Sequence, residues 1–247
     1  MRPLKKKLIK LNQSTLFIAD LHLNDKQPET YQRFKYFIDN KARNARALYI
    51  LGDLFEYYLG DDALSGVIQQ VVYDLNNLSK NFQTECFLMV GNRDFLISNS
   101  FAQSANITLL DDSTLIQLDN KQVILTHGDA LCTDDTEYQN VRLQLRSPQW
   151  QQWFLSQSIN DRIEFANQAR IKSQAHTQTA NMEIMDVNAD AVNALFNQYQ
   201  SQFMIHGHTH RPAFHIAKSQ QRMVVGDWHY QTSFIEYKNN HFQLIAY

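Results

Sequence analysis

Thr15-Leu-Phe-Ile-Ala-Asp-Leu-His-Leu23 decides the reading of this chain. Thr15–Ala19 is a short apolar run, which reads as a buried strand, and two side chains able to bind metal, Asp20 and His22, follow it. The same order recurs down the sequence. Ala47–Leu51 precedes Gly52-Asp53, and Glu85–Val90 precedes Gly91-Asn-Arg-Asp94. Val123–Thr126 precedes His127-Gly-Asp129, and Phe203–Ile205 precedes His206-Gly-His-Thr-His210. Ligands of α/β sheets bind beyond the carboxyl ends of the strands, so five such motifs can converge on one cleft.

Between the early strands the apolar spacing is helical. Tyr31, Phe34 and Ile38 recur at threes and fours, as do Leu64, Val67, Ile68, Val71, Leu75 and Leu78. Strand–helix–strand–helix–strand implies a largely parallel sheet at the start. Thr114–Leu118 and Val123–Thr126 flank Asp119-Asn-Lys121, the pattern of a hairpin. Residues from about 135 to 200 look helical, and strands Phe203–His206, Ala213–Ala217, Met223–Val225, Ser233–Tyr237 and Phe242–Ala246 close the chain. With no repeat and no Pro/Gly-rich linker, the expectation is one domain over 1–247 carrying a helical insertion at about 135–200.

Of the 247 residues, 44% are hydrophobic, ample for a core, and the net charge of −2 argues against a general nucleic-acid binder. Cys86 and Cys132 form no CxxC pair and no disulfide framework, which fits a reducing cytosol. No run approaches the length of a membrane span. Met1–Leu11 alternates Lys with Leu and Ile, which reads either as a solvated arm or as a contact for an anionic membrane surface.

The residue types specify the chemistry. Asp, Asn and His without thiolate suit Mn, Fe or Zn. Two ions about 3.5–4 Å apart need a bridging carboxylate. Asp53, alone behind a tight Gly turn, is the expected bridge. Alternate residues of an extended segment point the same way, so Asp20 with His22, and His208 with His210, are each expected to serve one ion. Gly52, Gly91, Gly128 and Gly207 let the backbone approach the ions. A third ligand at His206 is not required, and that residue reads as structural.

These motifs resemble the signature of calcineurin-like metallophosphoesterases. Within that superfamily, Phe17–Leu23, Tyr49–Glu56, Gly91–Leu96, His127–Asp129 with Leu131–Asp135, Ile184–Val187 and Ile205–Pro212 are similar to the UDP-2,3-diacylglucosamine hydrolase family of lipid A synthesis. Gly91-Asn-Arg-Asp94 is the most specific of them, since most of the superfamily has His at the place of Arg93.

The resemblance implies an α/β fold, a four-layer αββα sandwich with a helical lid. It implies two Mn ions, one on Asp20, His22, Asp53 and His210, the other on Asp53, Asn92, His127 and His208. It implies water attack on the α-phosphate of an acylated UDP-sugar, by a monomer working peripherally at the cytoplasmic face of the inner membrane. Substrate contacts are implied for Asn92, Arg93, Asp135, Tyr138, Ser173, Thr177 and His208. Thr177 departs from a common Asn, and Ala180 from a common Lys.

Arg93 is expected to be catalytic. A guanidinium has no lone pair for an ion, yet this one follows a proposed ligand and can face charge building on phosphate. The alternative is an ion pair with Asp94 or another nearby carboxylate. Trp150, Trp153, Phe154, Leu155, Ile159, Ile163 and Phe165 form a dense apolar set that reads as the wall of an acyl-chain chamber or as ordinary packed helices. The competing functions are another metallophosphoesterase activity, on nucleotide diesters or UDP-sugars, and a non-enzymatic scaffold.

Overall fold

The computed structural model describes residues 13–179 and 186–247, without the side chains of 174–179. The N-terminal arm, Ala180 and the Thr177 side chain therefore lie outside the described residues.

β1 (Thr15–Ile18), β2 (Ala47–Leu51) and β3 (Glu85–Met89) form the expected parallel core, crossed by α1 (Pro28–Asn40) and α2 (Gly66–Phe82). β1 and β2 read as continuous apolar runs because both faces are covered. Leu16, Ile18, Leu48 and Ile50 face the helices, while Phe17, Ala19, Tyr49 and Leu51 face a second sheet.

The helix α3 (Asn99–Ala105) and strand β4 (Thr108–Leu110) were not expected. The helix has few apolar residues, and its start is set by Ser98, whose Oγ accepts from Ser100 N–H at 2.9 Å. The strand is three residues long, too short for a period to show.

β5 (Ser113–Leu118) and β6 (Lys121–Thr126) make the expected hairpin, with Leu118 opposite Lys121. The C-terminal strands are β7 (Phe203–His206), β8 (Ala213–Ala217), β9 (Gln220–Val224), β10 (Ser233–Lys238) and β11 (His241–Ala246). One sheet runs β11-β10-β1-β2-β3-β4 and the other β5-β6-β7-β9-β8. Phe17, Tyr49 and Met89 meet Val123, Leu125, Ile205 and Met223 between them. Outside the first sheet lie α1, α2 and α3. Outside the second, Val192 and Phe196 of α7 (Ala189–Tyr199) pack on Ile124 and Met204. The layers are helix, sheet, sheet, helix, as the four-layer expectation had it.

The stretch expected to be helical contains α4 (Thr136–Leu145), α5 (Pro148–Leu155), α6 (Ile159–Thr179) and α7. The aromatic set within it divides. Phe154 is buried and stacks on Trp150 at 4.8 Å, the two joining the core outside the first sheet, while Phe165 lies edge-on to Phe154 at 5.5 Å and stays exposed. Trp153, Leu155, Ile159 and Ile163 remain exposed.

Candidate metal centre and active site

Every sequence-expected ligand lies at a strand end, but the local geometry differs from the expectation. Asp20, His22, Asp53, His208 and His210 all have positive φ, from 51 to 68°. The segments are not extended, so alternation is not what aligns Asp20 with His22 or His208 with His210. Left-handed turns aim them, a conformation that costs non-glycine residues about 1–3 kcal/mol each and persists only where surroundings over-determine it. The surroundings here are backbone ladders between loops: Asp20 N donates to Gly52 O at 3.1 Å, His22 N to Asp53 O at 3.0 Å and Gly207 N to His127 O at 2.9 Å. Two glycines act differently from the expectation too. A Cβ on Gly91 would collide with Asp53 Oδ1, and one on Gly207 with Asp20 Oδ2, so these glycines make room for ligand carboxylates.

The donor atoms converge in two groups. His22 Nε2 and His210 Nε2 are 3.3 Å apart, and His210 Nε2 is 3.5 Å from Asp20 Oδ1. Asn92 Oδ1 lies 3.1 Å from His127 Nε2 and 3.0 Å from His208 Nδ1. Asp53 stands between, with Oδ2 3.9 Å from His22 Nε2 and Oδ1 3.7 Å from His127 Nε2.

The electrostatics fit divalent cations. Asp20 Oδ1 is buried and accepts no hydrogen bond. Burial pushes the Asp53 carboxyl up to about 7, with Asp94 and Asp20 adding to it against the pull of His127 and Arg93. Burial also drives His208 down to about 4 and His22 below its ordinary value, which leaves neutral imidazoles with lone pairs. His127 Nδ1 is 2.8 Å from Leu51 O; donation there leaves Nε2 as the ligand atom. Cys132 also borders the cavity, but burial, with Asp129 adding, lifts its thiol to about 12, so it offers no thiolate. The donors are thus oxygen and imidazole only.

A cavity of about 360 Å³ opens over these atoms. The strand-end loops floor it with His22, Asp53, Asn92 and His208, and the lid side contributes Asp135, Tyr138, Arg170 and Ser173. Arg93 spans the two, its Nη2 donating to Ser173 Oγ at 3.4 Å. It makes no ion pair with Asp94, whose carboxylate instead accepts from Gly91 N–H at 2.7 Å and Leu54 N–H at 2.8 Å. His206 is fully buried away from the cavity. Its Nδ1 is 2.8 Å from Gly207 O and its Nε2 3.0 Å from Arg222, with burial pushing it down to about 3. The exposed lid residues Trp153, Leu155, Ile159 and Ile163 do not line this cavity.

Several neighbours escaped sequence reading. Glu56 places Oε2 3.5 Å from His22 Nδ1 and Oε1 3.2 Å from Arg170 Nε. Asp227 Oδ2 lies 3.6 Å from His210 Nδ1, and the His229 ring stacks on His22 with centroids 5.6 Å apart. Only Glu56 carried a signal, as the last residue of the Tyr49–Glu56 motif; Asp227 and His229 precede β10 without any marking spacing.

The family model for calcineurin-like phosphoesterases matches residues 14–212. The chain belongs to that family. Relatives named UDP-2,3-diacylglucosamine hydrolase are close in sequence. The protein of that name from Aromatoleum aromaticum is 44% identical over 220 residues, 87% of this chain and 89% of its own length. The one from Proteus mirabilis is 40% identical over 237 residues, covering 94% and 98%. The one from Yersinia pseudotuberculosis is 40% identical over 238 residues, covering 95% and 99%. Membership of this phosphoesterase family, together with the donor groups above, makes the site a divalent-metal centre of a hydrolase.

Proposed function

We propose that this chain hydrolyses the pyrophosphate bond of UDP-2,3-diacylglucosamine, giving UMP and 2,3-diacylglucosamine 1-phosphate, the lipid X of lipid A synthesis. The carrying observation is one cavity that four strand-end loops line with metal donors, with His127 of the fifth buried against Asn92, and to which α4 and α6 and the residue before α4 bring Tyr138, Ser173 and Asp135. The near full-length similarity to hydrolases of that name supports the substrate.

Asp20, His22, Asp53 and His210 would hold one Mn ion, and Asp53, Asn92, His127 and His208 a second. Ions bound there supply charge neutralisation for phosphate oxygens and a more acidic water. The protein's own residues do the rest. Arg93, Arg170 and Arg211 border the cavity beside Asp53, Glu56 and Asp135, so attraction for a diphosphate rests on Arg93 together with the bound ions. Arg93 is the catalytic cation, facing the charge that grows on the phosphate oxygens as the bond breaks. Asp135, Tyr138, Ser173 and Thr177 contact the nucleotide-sugar, with Asn92 and His208 beneath it. Water adds to the α-phosphorus, the bond to the bridging oxygen breaks, and that oxygen leaves with the sugar phosphate.

Among the described residues no helix is long and apolar enough to cross a membrane. Exposed Trp153, Leu155, Ile159 and Ile163 on the lid helices support peripheral attachment at the cytoplasmic face of the inner membrane, where a diacylated substrate resides. The chain acts as a monomer.

Hydrolysis in ¹⁸O-water tests the reading. Activity is expected to vanish on chelation, to return best with Mn, and to place the heavy oxygen in UMP. Label in the lipid phosphate would mean attack at the other phosphorus, and no UMP from the acylated sugar would end the substrate assignment.

A further inference from the structure

Asp129 closes the His127-Gly-Asp129 motif at the end of β6, and neither ligand set uses it. Its carboxylate is fully buried. Oδ1 accepts from Ala130 N–H at 2.9 Å. Oδ2 accepts from the Tyr138 hydroxyl and Arg142 Nε, each at 2.8 Å, and from Arg146 Nη2 at 3.4 Å. Those three donors are spaced by four residues, so they stand on one face of α4 and its C-cap. The Asp129 carbonyl also accepts from Gln139 Nε2 at 2.8 Å. Apolar burial does not seat this helix: α4 has no buried residue, and Val141 and Leu143 are exposed. The Asp129 carboxylate, together with Asp112, which also pairs with Arg142 and Arg146, therefore seats the first lid helix.

The same donors reach the reaction site. The Tyr138 ring lies 5.9 Å from that of His208 and borders the cavity. Arg146 Nη2 also donates to Gly91 O at 3.0 Å, the carbonyl directly before Asn92. We propose that Asp129 is a positioning residue for the hydrolysis, holding Tyr138 against the substrate and, through Arg146, steadying the loop that presents Asn92 and Arg93. With its proton committed to Asp129, Tyr138 offers the substrate a ring face and not a hydroxyl donor. The inference takes its substrate from the proposed function, and the experiment separates the two.

The experiment compares Asp129→Asn, Tyr138→Phe and the double variant. KM and kcat are measured on UDP-2,3-diacylglucosamine, and hydrogen exchange over α4 is measured without substrate. Asp129→Asn should raise KM about tenfold and Tyr138→Phe about threefold, with kcat falling less, since the first weakens all three side-chain contacts to the carboxylate and the second removes one. The double variant should be no worse than Asp129→Asn, because both changes break one shared contact. α4 should exchange faster in each single variant, and no faster again in the double. Multiplying effects on KM, or unchanged exchange over α4, would overturn the proposal. So would a loss confined to kcat. A wild type inactive on the acylated sugar sinks the substrate assignment alone, and exchange then scores the network. Should Asp129→Asn fail to fold, Tyr138→Phe alone decides, since an unchanged KM and unchanged exchange over α4 in that variant would overturn the proposal.

Discussion

The strand-end loops and the lid helices hold their side chains by different means. In the loops, Asp20, His22, Asp53, His208 and His210 take left-handed backbone conformations at the ends of β1, β2 and β7, inner strands that are almost wholly buried. In the lid, α4 touches the core through Tyr138, Arg142 and Arg146 on Asp129, and α6 through Arg162 on Asp62 and Leu59 O and Arg170 on Glu56, with apolar packing at Phe165 and Ala166. Rigidity in the first region comes from packing that a single surface change cannot relax. In the second it comes from a few polar contacts, each replaceable. Substitutions in the loops should therefore act on chemistry and metal, and substitutions in the lid on recognition.

The largest effect is expected at the centre of the loops. Asp53 faces both donor groups, so Asp53→Ala should lose both ions and reduce turnover by about 10⁴-fold, the scale of removing a central member of a catalytic group. Metal analysis after gel filtration checks it. Two ions per chain in that variant would show that Asp53 does not bridge. Arg93→Ala comes next. It should lower kcat by about 10²–10³-fold with metal content intact, and Lys should restore only part, since a point charge lacks the planar fork. Near-normal turnover with a lowered Tm would make Arg93 a structural residue.

The ligands were legible because each follows an apolar run that only a doubly covered strand explains, and because residue type limits metal chemistry. Local aim was not legible: the positive φ at Asp20 and His208 is held by hydrogen bonds to Gly52 O and to the Asp20 carboxylate, partners distant in sequence. The lid's attachment was hidden for the same reason. Arg142, Arg146 and Arg170 look like solvated helix charges until β6 and the Glu56 loop are folded beneath them. Nor does α6 announce a buried face, since its apolar residues are spread around the helix. The seven-residue apolar set read either as a chamber wall or as packed helices, and burial divides it, with Phe154 in the core and Trp153, Leu155, Ile159, Ile163 and Phe165 exposed.

Glu56 belongs to both regions, touching His22 on one side and Arg170 of α6 on the other. Groups that orient ligands typically contribute about 10–100-fold in metal affinity. Glu56→Gln should weaken metal retention by that amount, measured by competition with a chelator, and Arg170→Ala should reproduce a small part of it. Retention unchanged in Glu56→Gln would separate the lid from the metal-binding loops altogether.

The smallest effect on hydrolysis is expected where the aromatic set divides. Phe154 is a core residue, 3% exposed and packed on Trp150 and Phe165. Phe154→Ala leaves a cavity and should cost about 3–5 kcal/mol of stability, seen as a lower denaturant midpoint. Its neighbour Trp153 is 50% exposed, so it has little packing to lose. Trp153→Ala should leave the midpoint nearly unchanged. If the exposed face meets acyl chains or the membrane, the same change removes apolar area from that contact, worth about 1–2 kcal/mol, or roughly five- to thirty-fold in KM for the diacylated substrate. UDP-N-acetylglucosamine, which has no long chains, supplies the control. A Trp153→Ala variant that binds both substrates as the wild type does would leave the exposed apolar face without a part in recognition.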